Sequence, residues 1–87
     1  MSQYVFPVSE GVECLVGWDE SMQTFFGQIY RVDKDGERVD AEEDGTILWV
    51  GRRHNEIKSV YVLATQLRPR AEIPSKIYGA LFKTEVD

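Results

Sequence analysis

The chain has 87 residues and a mass of 10.0 kDa, which makes one small domain spanning residues 1–87 and leaves no room for a separate cofactor-binding half. Its 43% apolar and 11% aromatic content suffices for one compact core, so disorder along the whole length is excluded. Fifteen acids against ten bases give a net charge of −5, which argues against general adhesion to nucleic acid or to anionic membrane.

The N-terminal stretch MSQYVFPVSE has neither the basic nor the apolar region of a secretory segment. With Cys14 as the single cysteine, no internal disulfide can form, and a reducing, cytoplasmic setting is expected. The most apolar stretches, Cys14 to Trp18 and Ile47 to Val50, are far shorter than the ~20 residues that span a bilayer.

Val12, Cys14, Val16 and Trp18 alternate with Glu13, Leu15 and Gly17, the period of a strand with one face in a core, and predict a strand over Gly11 to Trp18. After the polar stretch 19–23, Thr24 to Val32 is rich in aromatic and β-branched residues and predicts a second strand. About five connecting residues suit an antiparallel hairpin, because a parallel crossover needs a dozen or more. Gly27, inside that strand, predicts a bulge or a close contact with the Trp18 ring.

Residues 33–45 are polar, and Thr46-Ile47-Leu48-Trp49-Val50 follows as a third strand ending at Gly51. Its continuous apolar character predicts a central strand covered on both faces, with Trp49 buried. Ser59 suits a helix N-cap, and Val60, Leu63, Ala64 and Leu67 form the stripe of an amphipathic helix that stops near Arg68, ahead of Pro69. Val60-Tyr61-Val62 is also good strand material, so a fourth strand there is the alternative. Pro74 suits the first turn of a second helix, with Ile77, Leu81 and Phe82 on its buried side and Gly79 weakening it. The expected fold is α+β: a three-stranded antiparallel meander, with that fourth strand as the alternative, followed by two short C-terminal helices packed on one sheet face.

Val16-Gly17-Trp18-Asp19, then Thr24-Phe25-Phe26 with Gln28, then Leu48-Trp49 with Gly51 form a pattern. It resembles a group of short uncharacterised bacterial proteins in which a GWD turn leads into a TFFxQ strand, an LWxG strand and a helical tail. The likeness covers most of residues 12–82. It implies a bacterial source and the strand-then-helix order, and it brings no activity with it.

Charge is distributed unevenly. Residues 33–44 hold seven acids (Asp33, Asp35, Glu37, Asp40, Glu42, Glu43, Asp44) against Lys34 and Arg38, a net of −5. On a calcium-loop template Asp33, Asp35 and Glu42 fall at ligand positions, but Arg31 falls where the first carboxylate belongs and the flanks read as strands. A solvated acidic hairpin tip is the expectation, and Asp35, Glu37, Asp40, Glu42, Glu43 and Asp44 are the candidate contacts for a basic protein partner, as in an inhibitor or a nucleic-acid mimic. Residues 45–87 carry Arg52, Arg53, Lys58, Arg68, Arg70, Lys76 and Lys83 against four acids, a net of +3. Arg52, Arg53 and Lys58 are therefore the candidates for the alternative, a small nucleic-acid-binding or regulatory module, although no dense basic stripe with interleaved aromatics is evident.

His54, the only histidine, stands beside two arginines, and its separation from Cys14 matches no metal-ligand spacing. Neither a phosphate loop nor a nucleophile elbow is present. No catalytic residue, metal or cofactor is implied. Phe25 and Phe26 are adjacent in one strand, so their rings must point to opposite faces, and helices can cover only one of them. The second face then needs a partner, and a homodimer formed through that face or an edge strand is expected.

Overall fold

The computed structural model describes residues 2–86. Four strands, β1 (Ser2–Ser9), β2 (Val12–Asp19), β3 (Thr24–Arg31) and β4 (Thr46–Val50), form an antiparallel sheet in the order β1-β2-β3-β4. Two helices follow, α1 (Val60–Leu67) and α2 (Ser75–Val86). The architecture is α+β, with the expected meander and both C-terminal helices.

The fourth strand lies at the N-terminus and not at Val60-Tyr61-Val62, which are the first turn of α1. Tyr4 and Phe6 face the core in alternation with exposed Gln3, Val5 and Pro7. Pro7 has no N–H to donate to a ladder, and β1 tolerates it because it is an edge strand with a neighbour on one side only.

β4 is the opposite edge, which corrects the expectation of a central strand. Its apolar run arises from a register irregularity and from two differently used faces. Leu48 pairs with Ile29 and Val50 with Gly27 on the helix-covered side, and Ile47 falls where the ladder shifts between Ile29 and Tyr30. Trp49 pairs with Gln28 and points outward, 47% exposed. A bulge lets consecutive residues all be apolar without both sheet faces being covered.

Phe6, Cys14, Val16, Phe25 and Ile29 form the sheet side of the core, and α1 supplies Val60, Leu63, Ala64 and Leu67, the four residues of the expected stripe. Gly27 contacts this helix and not the Trp18 ring: a Cβ there would stand 3.0 Å from Leu67 Cδ2 and 3.2 Å from Leu63 Cδ1. The missing side chain lets α1 settle onto β3. Trp18 packs instead edge-on against Phe25, with ring centroids 4.8 Å apart.

Ser59 occupies the N-cap position of α1, but its hydroxyl makes no capping bond. The Val60 N–H donates to Glu85 Oε1 of α2 at 2.7 Å, so a carboxylate distant in sequence satisfies the helix start and complements its dipole. In α2, Leu81 is fully buried and Ile77 partly so, whereas Phe82 is 48% exposed and lies off the buried side assigned to it.

Cys14 is fully buried, and burial pushes its thiol up to about 12, against the smaller opposing effect of a backbone hydrogen bond at Gln28. The folded pKa thus lies above the unfolded value near 9.0. Stability from the protonated thiol is fully present below pH 9 and is lost as pH rises towards 12, at up to ~1.4 kcal/mol per pH unit. The melting temperature is expected to fall more steeply above pH 9 in the native chain than in Cys14→Ala, and equal slopes in thermal melts would refute this role.

Candidate functional site

The two sheet faces have different chemistry because side chains alternate along each strand. The helix-covered face bears the core. On the other face, the register pairs Val5 with Leu15, Leu15 with Gln28 and Gln28 with Trp49, which puts these four residues at one level across all four strands. Phe26 lies on the same face across Gly17, where a Cβ would stand 2.9 Å from the ring Cζ. Phe25 is fully buried on the opposite face, so the adjacent phenylalanines point opposite ways as expected. Val5, 54% exposed, and Trp49 are the exposed large apolar side chains of the uncovered face.

Charged groups frame this apolar row. The Arg52 guanidinium stacks 4.3 Å from the Trp49 ring centroid, and Arg38 stacks 4.1 Å from that of Tyr30. Tyr30 Oη donates to Glu13 Oε1 at 3.2 Å across the β2–β3 pair. Burial holds the Tyr30 phenol above its ordinary pKa, and the Glu13 carboxylate adds to that effect. Asp19 closes the β2–β3 turn: its Oδ1 accepts from Ser21 Oγ and from the N–H groups of Ser21 and Met22. The Ser21 hydroxyl is the largest cause of its lowered pKa.

The segment after β4 is pinned from two sides. Glu56 accepts from the N–H groups of Gly51, Arg52 and Arg53 at 3.1, 3.2 and 3.1 Å. Buried Thr24 Oγ1 accepts from Ile57 N–H at 2.8 Å, and Phe25 N–H donates to the Ile57 carbonyl. These bonds fix the loop that carries Arg52 beside Trp49.

Arg52 and Arg53 line one depression with Trp49 and Glu56. Lys58 lies elsewhere: its ammonium is 5.3 Å from the Trp18 ring centroid and donates to the Gln23 carbonyl and Asn55 Oδ1. The fold therefore brings two of these three cations together and separates the third. His54 is exposed in the loop, while Cys14 is buried beneath the helices.

The acidic segment is exposed and locally ordered. Asp33 Oδ1 accepts from the N–H groups of Asp35 and Glu37, and Asp40 Oδ1 accepts from that of Glu42 at the start of a single 3-10 turn, Ala41–Glu43. Arg31 donates to the Asp44 carbonyl, and the Arg38 side chain leaves the segment to lie on Tyr30. Asp33 and Asp40 thus shape the backbone, whereas Asp35, Glu37, Glu42, Glu43 and Asp44 are exposed, with no such bond to their own carboxylates among the hydrogen bonds described. Among the described residues, no three His, Cys, Asp or Glu side chains cluster as a metal site, and no helix is long and apolar enough to cross a membrane.

Val5, Leu15, Glu13 and Arg38 belong to this surface but were not singled out from the sequence. The alternation of Gln3, Val5 and Pro7 with Tyr4 and Phe6 is the signal that places Val5; Arg38 has none, because its position depends on how the connection between β3 and β4 folds. Comparison with known proteins finds no matching family model, no similar curated protein and no similar solved structure.

Proposed function

We propose that the chain is a non-catalytic interaction protein of the bacterial cytoplasm, which self-associates through its uncovered sheet face and presents its acidic segment to a basic partner. The observation that carries this reading is the row Val5, Leu15, Gln28 and Trp49 on that face, with the apolar Val5 and Trp49 both about half exposed at its two ends. A row of Val5, Leu15 and Trp49, interrupted by the buried amide of Gln28 and framed by stacked arginines, has the composition of an interface core, in which aromatic residues and arginine are enriched. The thiol of Cys14 is buried and protonated, and the carboxylates of Asp19, Asp33, Asp40 and Glu56 are bonded to backbone N–H groups, which supports binding over catalysis. The exposed acids at Asp35, Glu37, Glu42, Glu43 and Asp44 suit a basic surface, and their attraction to it weakens as salt rises.

Light scattering is expected to show mass rising with concentration from 10.0 kDa towards twice that value in the micromolar range. Trp49→Glu should hold the chain at the lower mass while leaving it folded, since the ring is outside the core. A constant 10.0 kDa across the whole range would overturn self-association.

The depression formed by Trp49, Arg52 and Arg53 supports a second reading, binding of single-stranded nucleic acid by stacking and charge. A salt-sensitive mobility shift with the native chain that is lost in both Arg52→Ala and Arg53→Ala would favour it.

A further inference from the structure

Charge divides the uncovered face along the strand order. Within the strands the acids of this face stand on β2, Glu13 at Tyr30 and Asp19 bonded into the β2–β3 turn, whereas the guanidiniums lie over β3 and β4, Arg38 on Tyr30 and Arg52 on Trp49. Glu56, a carboxylate in the loop after β4, is turned onto the three backbone N–H groups of residues 51–53. The row crosses this division, running from Val5 on β1 through Leu15 on β2 and Gln28 on β3 to Trp49 on β4.

Resting on the reading that the chain self-associates, we infer that two copies meet face to face about a two-fold axis parallel to the strands, between β2 and β3. That rotation reverses the strand order while keeping the level along each strand. Val5 of one copy then lies over Trp49 of the other, Leu15 over Gln28, and Glu13 over the Tyr30–Arg38 stack. A two-fold axis across the strands would instead set each strand over its own copy, β2 over β2 and β3 over β3, so that the strand bearing Glu13 never meets the strands bearing the guanidiniums. Only the first axis sets a carboxylate over a guanidinium, so charge complementarity selects it, and each contact occurs twice.

The size of the face fits such a dimer. Strands about 4.8 Å apart and rising about 3.3 Å per residue make a face roughly 19 by 26 Å, and two such faces bury on the order of 1,000 Å². This is the lower end for a specific interface and fits a dimer in the micromolar range. Sheets packed in this way keep their strand directions within about 30° of each other.

The test uses two charge reversals, Glu13→Lys and Arg38→Glu, each in the full chain and each checked for folding by thermal melting. Alone, each variant should dimerise about tenfold or more weakly, because it sets like charges over one another. When they are mixed, sedimentation with one variant labelled should show a heterodimer as tight as the native dimer. In that heterodimer the introduced lysine faces the introduced glutamate, and the native Glu13 of one chain faces the native Arg38 of the other. An intramolecular role at Tyr30 cannot produce that rescue. Cysteine cross-linking supplies a second readout independent of those charges: a mixture of Val5→Cys and Trp49→Cys chains should form the mixed disulfide in preference to either homodimer disulfide under mild oxidation. A native dimer with neither rescue nor preferential mixed disulfide would overturn the axis and leave self-association standing. A native chain that stays monomeric would overturn both.

Discussion

Gly51→Ala is expected to lower stability by on the order of 3 kcal/mol or more. Gly51 has φ +79°, a conformation that disfavours a side chain, and a Cβ there would stand 2.1 Å from the Phe25 carbonyl oxygen and 2.6 Å from Phe26 Cα. Those are backbone atoms of β3 and cannot swing aside as a side chain can. Relief requires the strand or the loop to move, and the loop is held by Glu56, Thr24 and Ile57. A domain of this size has roughly 4–13 kcal/mol of total stability, so the loss takes a large share. At about 4–8 °C per kcal/mol the melting temperature should drop by more than about 12 °C. Gly79→Ala is the matched control: this residue is exposed inside α2, nothing lies within 4 Å of its would-be Cβ, and alanine there should add about 0.5–1 kcal/mol. Opposite signs in the two melts are the expected result, and a neutral Gly51→Ala would contradict the tight approach of the loop to β3.

Truncating aromatics on the two faces of β3 and β4 should give unequal losses. Phe25 is fully buried and packed against Trp18, so Phe25→Ala removes a large core side chain at a cost of about 3–5 kcal/mol. Trp49 is 47% exposed and covered in part by Arg52, so Trp49→Ala should cost about 1 kcal/mol or less in the monomer. This is opposite to the unfolding that a buried, central-strand Trp49 would produce. Denaturant titration at low protein concentration separates the two, because dimer dissociation then adds nothing to the Trp49 value. Equal losses would mean that both faces are covered within one copy.

The order of elements was legible because each carries its own period. Val12 to Trp18 alternates every two residues, Val60 to Leu67 repeats every three or four, and Pro69 and Gly51 mark the ends. The adjacency of Phe25 and Phe26 foretold two occupied faces for the same reason: a regular strand has no other way to place consecutive rings. The exposed acids of 33–44 were also readable from composition, as was the apolar stripe of α1.

Position within the sheet was not readable, since it depends on which strands find one another. An apolar run such as Ile47 to Val50 has the same local pattern whether it lies at the centre or at a bulged edge, and only the pairing of β4 with β3 alone settles it. The partner of Gly27 was likewise decided at long range, by α1 descending on β3 with Leu63 and Leu67. Glu85 at the start of α1 and Arg38 on Tyr30 join groups distant along the chain, and no local period encodes such contacts. Local sequence set the conformation of each segment through side-chain periodicity and turn chemistry. Tertiary packing set which face each residue occupies against its neighbours, and with that it determined that Val5, half-buried Leu15, Gln28 and Trp49 share one level of the uncovered face.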